Sequence, residues 1–298
     1  MKKIISISLG SSKRDHAATM ELMNQSFSLQ RIGTDGDLHK MIQLIRRYDG
    51  TVDAFGLGGM DIYIQAVDRR YTLRDAQRVA AAAKLTPIVD GSGLKNTLER
   101  RVVQHLKKET SILDGKKKVL VTCAMDRFGL AQSLEQNGCE MTYGDLIYIL
   151  NLPIPLKSLH TLALIARIVV PVIRLLPFRM LYPTGDKQEG SRPRYPRFFA
   201  GADIIAGDFH FIKRYMPLKL PGKIIITNTV TAADVELLRN KGVKTLVTTT
   251  PEIGGRSFGT NVMEAVLVAY SGSKKELEAQ EYDYLLKELD FKPRILDL

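Results

Sequence analysis

The residues best suited to chemistry stand where apolar runs stop. Gly56-Leu57-Gly58-Gly59-Met60-Asp61 closes one such run, and Asp90-Gly91-Ser92-Gly93-Leu94-Lys95-Asn96 closes another. Proton transfer needs a positioned acid or base. Lys95 with Asp90 or Asp61 is the candidate catalytic set on position alone, with Gly58, Gly59, Ser92 and Asn96 as candidate substrate contacts. A Gly-Ser-Gly turn opening a helix also presents backbone N–H groups to a phosphate or carboxylate, and Lys95 adds charge there. The Walker A spacing is absent. A tight turn that needs glycine for positive φ is the simpler account of the same residues.

Later strand ends carry a second set. Asp126-Arg127-Phe128-Gly129 follows an apolar run at the place where a dinucleotide-binding fingerprint would show three glycines, of which only Gly129 is present. Asp145 follows at the distance of a ribose-binding carboxylate, and Arg127 could neutralise phosphate in place of a missing glycine contact. Asn228 and Thr229 end another run, and Thr249, Thr250, Gly254, Gly255 and Arg256 another. These are the candidate cofactor contacts. The five histidines are scattered without an HxH or HExxH pair, so no metal site is expected. Asp208 and His210 could pair locally, although capping of the following turn is the commoner role. Cys123 ends a strand, where a buried structural thiol is the commoner outcome.

The elements that must position these residues alternate in type. Strands are expected at 4–9, 52–57 and 86–90, with helices at 38–48, from Thr72 to about residue 84, and along the four-residue repeat Leu94, Leu98, Val102, Leu106. The polar break at 114–118 divides the chain. Beyond it, strands at 119–123, 140–143, 202–206, 223–227 and 245–249 are short and apolar almost throughout, as buried parallel strands are. A helix from Thr231 to the Lys241-Gly242 stop completes a βαβ unit. The fold class is therefore α/β with two domains: an N-terminal α/β sheet domain over 1–115 and a Rossmann-like parallel-sheet domain over 116–272. The segment 151–198 is inserted in the latter, and 273–298 forms a C-terminal helix and tail.

Residues 116–270 resemble, in arrangement, the Rossmann domain of methylenetetrahydrofolate and shikimate/quinate dehydrogenase-type enzymes. The strand at 245–249, the Thr250-Pro251 and Gly254-Gly255-Arg256 loop and the apolar helix at 262–270 carry the likeness, with Ala202–Thr229 adding to it. The chain is similar to a bacterial family named after quinate 5-dehydrogenase. The resemblance implies an NAD- or NADP-dependent oxidoreductase, with a small polar or anionic metabolite between the domains. The missing glycines motivate an alternative, a non-redox ligand-binding or regulatory protein.

Composition limits the partners. Forty-three basic against 32 acidic residues give a net charge of +11, which favours anionic partners without choosing one. No finger, RNP motif or aromatic–basic alternation points to specific nucleic-acid recognition. Two cysteines without metal or redox spacing, and a first apolar run too short for a signal peptide, suggest a soluble cytoplasmic protein. Residues 159–179 are rich in Leu, Ile and Val, with Arg167 and Arg174 too central for a membrane span. A core or dimer helix is the favoured reading of 159–179. A lid, or peripheral contact with a membrane by an enzyme of lipid-like substrates, stays open. Homo-oligomerisation is expected, and 182–197 reads as an exposed loop.

Overall fold

The structure, a computed structural model, describes residues 1–66, 69–175, 192–250, 252–253, 256–257 and 259–298. The first sheet is built from β1 (Lys2–Ser8), β2 (His16–Leu22), β3 (Gln25–Gly33), β4 (Ala54–Gly58) and β7 (Ile88–Val89), with a separate hairpin of β5 (Tyr63–Ala66) and β6 (Arg69–Thr72). Its strand order is β2-β3-β1-β4-β7, parallel throughout except for β2, which pairs antiparallel with β3. The sequence reading missed this β2–β3 hairpin and the β5–β6 hairpin. Met23 and Asn24 make the two-residue turn between β2 and β3 with φ of 48° and 60°, the sign that a tight hairpin turn requires.

The second sheet contains β8 (Lys118–Val121), β9 (Glu140–Tyr143), β10 (Ile204–Ala206), β11 (Ile224–Thr227) and β12 (Thr245–Thr248). A small pair, β13 (Glu252–Ile253) and β14 (Arg256–Ser257), lies outside it, and β15 (Arg294–Asp297) closes its far edge antiparallel to β12. The order β9-β8-β10-β11-β12 is that of a doubly wound sheet, in which the direction of winding reverses between β8 and β10. Ligands in such sheets bind in the crevice beyond the carboxyl ends at that reversal. The two-domain α/β architecture expected from the sequence is thus present.

Two helices join the sheets. The Ser92–Glu109 helix buries Leu94, Leu98, Val102, Val103 and Leu106, the face its four-residue repeat announced, and adds Glu99 to it. The Thr260–Ser271 helix, although it follows the last parallel strand of the second sheet, packs on the first, sharing a core with Ile4, Phe27, Ala54 and Val89. Asn261 Nδ2 donates to Ser6 Oγ at 3.0 Å on β1. The Ala279–Glu288 helix then buries Tyr282, Leu285 and Leu286 before the chain returns to the second sheet as β15. The expected helix start at Thr72 is displaced: Thr72 ends β6, and the Arg74–Ala80 helix begins after Leu73 without a side-chain cap. The expected start at Thr231 stands, with Thr231 and Asp234 forming a reciprocal capping box.

Candidate functional site

Side chains just past the carboxyl ends of parallel strands in the two sheets meet. Asp61 lies three residues beyond β4, Lys95 on the first turn of the Ser92–Glu109 helix, Asp126 and Arg127 in the turn after β8, and Asp208 just past β10. Lys95 Nζ donates to Asp126 Oδ1 at 2.9 Å and lies 3.7 Å from Asp61 Oδ1, so one lysine joins the loop of the first sheet to the turn of the second. Arg127 pairs with Glu99 at 2.6 Å, Asp208 at 2.9 Å and Asp126 at 3.2 Å. Asn228 Nδ2, beyond β11, donates to Asp208 Oδ2 at 2.8 Å and extends the chain of contacts.

The network has a wet end and a dry end. The side chains of Lys95, Asp61 and Asp126 are 13 to 23% exposed, whereas Arg127 and Glu99 are 4 and 2% exposed. Burial pushes the Asp61 carboxyl up to about 7, with Lys95 opposing and Asp126 reinforcing the rise. Burial also works against ionised Asp126, but Lys95, Arg127 and a hydrogen bond with Asp61 hold it down to about 2. Two carboxyls side by side cannot both ionise cheaply, so near neutral pH the pair shares a proton that sits on Asp61. Burial raises Glu99 as well, with Arg127 opposing. Four carboxyl groups face two cations here, so even with a proton on Asp61 acidic groups are in excess.

The other sequence candidates divide by their surroundings. Asp90 does not join the lysine: one oxygen accepts from the N–H groups of Ile62 and Tyr63, the other from Ser92 N at 2.9 Å, so it braces the loop that carries Asp61. The N–H of Gly91, at the start of the helix, donates to Glu264 Oε2 at 2.5 Å. The helix start offered above to a phosphate therefore holds the chain's own carboxylates. Ser92 accepts from Arg70 at 2.8 Å. Gly58 ends β4, and Gly59 turns away from it with φ of 72°.

At the second sheet, Asp145 accepts from Ala124 N at 3.0 Å and Met125 N at 2.9 Å, occupying the N–H groups of the turn that a pyrophosphate would approach. Burial pushes Asp145 up to about 6, against the pull of those two N–H groups. Thr250 Oγ1 donates to the Asn228 carbonyl at 3.0 Å, and Thr249 is buried at the end of β12. Thr229, beside Asn228, has interactions of its own. Gly254 and Gly255 lie outside the described residues, and Arg256 falls in β14. Asp208 caps its helix through His210 N at 2.9 Å, and Cys123 is buried, its thiol pushed well up by that burial.

Gly129 serves packing rather than phosphate approach. It faces Asn96 where the Phe128–Gln136 and Ser92–Glu109 helices touch, and a Cβ there would come within 2.8 Å of the Asn96 carbonyl oxygen. Gly129→Ala is expected to lower stability by about 1–3 kcal/mol, read from urea midpoints, despite the better helix propensity of alanine. Removing the Asn96 side chain in addition should restore only part, since the backbone oxygen stays. A stabilised single variant would mean that the two helices part freely.

Two features that bear on the site escaped the sequence reading. Glu99 sits one turn after Lys95 on the apolar stripe, and a carboxylate at a core position was the available signal. Glu264, buried beside Tyr282, stands inside a helix read only as apolar.

Comparison of the whole chain with protein families places it. Residues 93–298 match the family described as a domain of unknown function, DUF8754, and residues 3–90 match another so described, DUF8753. The chain belongs to the DUF8754 family. Neither description carries the quinate 5-dehydrogenase name that the sequence resemblance suggested for this DUF8754 protein, and no curated protein matches its sequence. Solved structures resemble it distantly. The NAD-dependent malic enzyme of Thermotoga maritima shares 14% identity, covering 97% of this chain and 76% of that one, with a TM-score of 0.39. A galactofuranose binding protein shares 10%, covering 98% and 100%, with a TM-score of 0.35. The hetero-hexameric glutamate dehydrogenase of Thermus thermophilus shares 10%, covering 97% and 73%, with a TM-score of 0.41. At that distance none bears on what the DUF8754 chain binds or does.

Proposed function

We propose that the chain is an enzyme that moves a proton on a small polar metabolite bound between the two sheets. The observation that carries this is Lys95 bridging Asp61 of the first sheet's loop and Asp126 of the second sheet's turn, with all three side chains partly open to solvent. Asp61, its pKa pushed up to about 7, is the acid or base. Lys95 stays protonated, because Asp126 and Asp61 outweigh the effect of its burial, and it orients the substrate oxygen that the proton leaves or joins. The excess of carboxylates favours a hydroxyl-rich or amine-bearing substrate over a strongly anionic one. Two free, buried cysteines accord with a reducing compartment, and we place the enzyme in the cytoplasm.

An NAD- or NADP-dependent oxidoreductase is the second reading, and the reversal of winding between β8 and β10 favours it. The residues at that crevice do not fit a dinucleotide in the usual manner: Asp145 takes the turn N–H groups, and Arg127 is enclosed by three carboxylates.

The test is a thermal-shift screen with sugars, hydroxy acids and amino acids, followed by turnover assays of the hits, with and without NAD and NADP. Asp61→Asn is expected to keep ligand binding and lose about 10²–10⁴-fold in turnover, with a rate limb near pH 7 in the parent. Unchanged turnover in Asp61→Asn and Lys95→Met would remove the cluster from the chemistry. Micromolar NADH binding, seen by nicotinamide emission and calorimetry, would favour the second reading.

A further inference from the structure

The Leu159–Ile173 helix has two unlike faces. Inward, Leu162, Ala163, Ala166 and Val170 are buried; the last two pack against Ile64 and Tyr71 of the first domain and against Met125 beside the site. Arg74 N donates to Arg174 O at 3.3 Å at the far end of this helical segment. The helix is thus fixed to both domains from one side. Outward, Leu164, Ile168 and Leu175 are 54 to 69% exposed. The loop before the helix adds Ile149, Leu150, Leu152 and Ile154, each 43 to 53% exposed. Scattered exposed apolar residues are ordinary, but seven within the 27 consecutive residues 149–175 are not.

The charge of this stretch says what covers it. From residue 146 to residue 185 the sequence contains no Asp or Glu, while it carries Lys157, Arg167, Arg174 and Arg179. Lys157, His160 and Arg174 are exposed alongside the apolar residues. No helix among the described residues is long and apolar enough to cross a membrane. A second copy is a poor occupant, because a two-fold contact would set this basic stretch, without an Asp or Glu of its own, against itself.

We infer that the outer face of this helix, with the 149–154 loop, docks onto an anionic lipid bilayer, its leucines and isoleucines entering the headgroup boundary and its cations meeting lipid phosphates. Apolar insertion and surface charge each contribute a part of such binding, and together they give reversible peripheral attachment. This is independent of the acid–base reading, since none of the seven apolar side chains belongs to the cluster.

The experiment is co-sedimentation of the full chain with phosphatidylcholine vesicles and with mixed phosphatidylcholine–phosphatidylglycerol vesicles. Binding is expected to the mixed vesicles alone, and to weaken as salt is raised. Arg174→Gln should weaken it about five-fold, the worth of one cation near an anionic surface. The double variant Leu164→Asp/Ile168→Asp should weaken it more than about ten-fold, since it loses two inserted side chains and adds two like charges. Both positions are exposed, so folding is expected to persist, and circular dichroism checks it. Lys40→Gln, on the Leu38–Tyr48 helix outside the 149–175 stretch, should bind as the parent does. Three outcomes overturn the inference: no sedimentation with anionic vesicles, binding unaltered by the double variant, or an oligomer in light scattering that the double variant dissociates.

Discussion

Arg127→Met is expected to lower folding stability by about 3–5 kcal/mol, seen as a fall in urea midpoint at unchanged m-value. The guanidinium is almost wholly buried and holds three carboxylates, of which Glu99 is the driest. Glu99 Oε2 has no hydrogen-bond partner in the structure, so Arg127 on Oε1 is what compensates its charge. Taking the cation away strands that carboxylate, and it also releases Asp208 and Asp126 at the reversal between β8 and β10. Glu99→Gln is expected to cost less, because Arg127 keeps its two other partners. The combined variant should then be more stable than the two losses added together, the mark of a coupled pair. A loss below about 1 kcal/mol in Arg127→Met would place the cluster with ordinary surface ion pairs, and Lys95 would have no dry wall behind it.

That wall also explains what the sequence could and could not reveal. Burial periodicity made the Ser92–Glu109 helix legible, since Leu94, Leu98, Val102 and Leu106 repeat as a packed face must. Apolar strand runs did the same for the second sheet, because strands covered on both faces leave no polar alternation to confuse them. The β2–β3 hairpin stayed hidden. Its turn residues are Met23 and Asn24 rather than Asn-Gly, and β2 alternates half-buried with exposed positions without one fully buried residue to mark a core face. Strand β15 was illegible for another reason: its place beside β12 depends on the chain returning from the first domain, which no local pattern records.

The site was legible to the same extent. Strand ends drew attention to Asp61, Lys95, Asp126 and Arg127, and the structure brings all four together. Asp90 and Asp145 stand at strand ends too, yet each is engaged with backbone N–H groups, Asp145 with those of the turn after β8 and Asp90 with those of the loop after β4 and of Ser92. A sequence shows that a carboxylate stands at a strand end. It does not show whether that carboxylate faces a ligand or stands in for one.

Glu264 is such a stand-in, and it predicts how stability will follow pH. Its side chain sits among the first-domain core, accepting from Gly91 N and, at 2.5 Å, from Tyr282 Oη–H. Burial pushes its pKa up to about 8, and the neighbouring charges of Asp90 and Glu276 push the same way, with the Tyr282 and Gly91 hydrogen bonds opposing. In the unfolded chain the same group titrates near the ordinary glutamate value of about 4.3. Its contribution to stability is therefore complete below that value, and is lost as pH rises through about 8. Over that window the loss should reach about 3–5 kcal/mol, with Asp61, raised to about 7, adding in the same direction. Urea unfolding at pH 5, 7 and 9 (roughly spanning the window) should show midpoints falling steadily in the parent. Glu264→Gln, permanently neutral, should remove most of the slope, matching the parent in acid and exceeding it in alkali. A parent curve flat with pH, or a variant with the parent's slope, would mean that Glu264 is not the group being forced to ionise. The place of the loss matters for the chemistry as well. Glu264 ties the Ala279–Glu288 helix to the start of the Ser92–Glu109 helix, one turn before Lys95. Ionising it loosens the element that aims the lysine, so alkaline pH should weaken the site before it unfolds the protein.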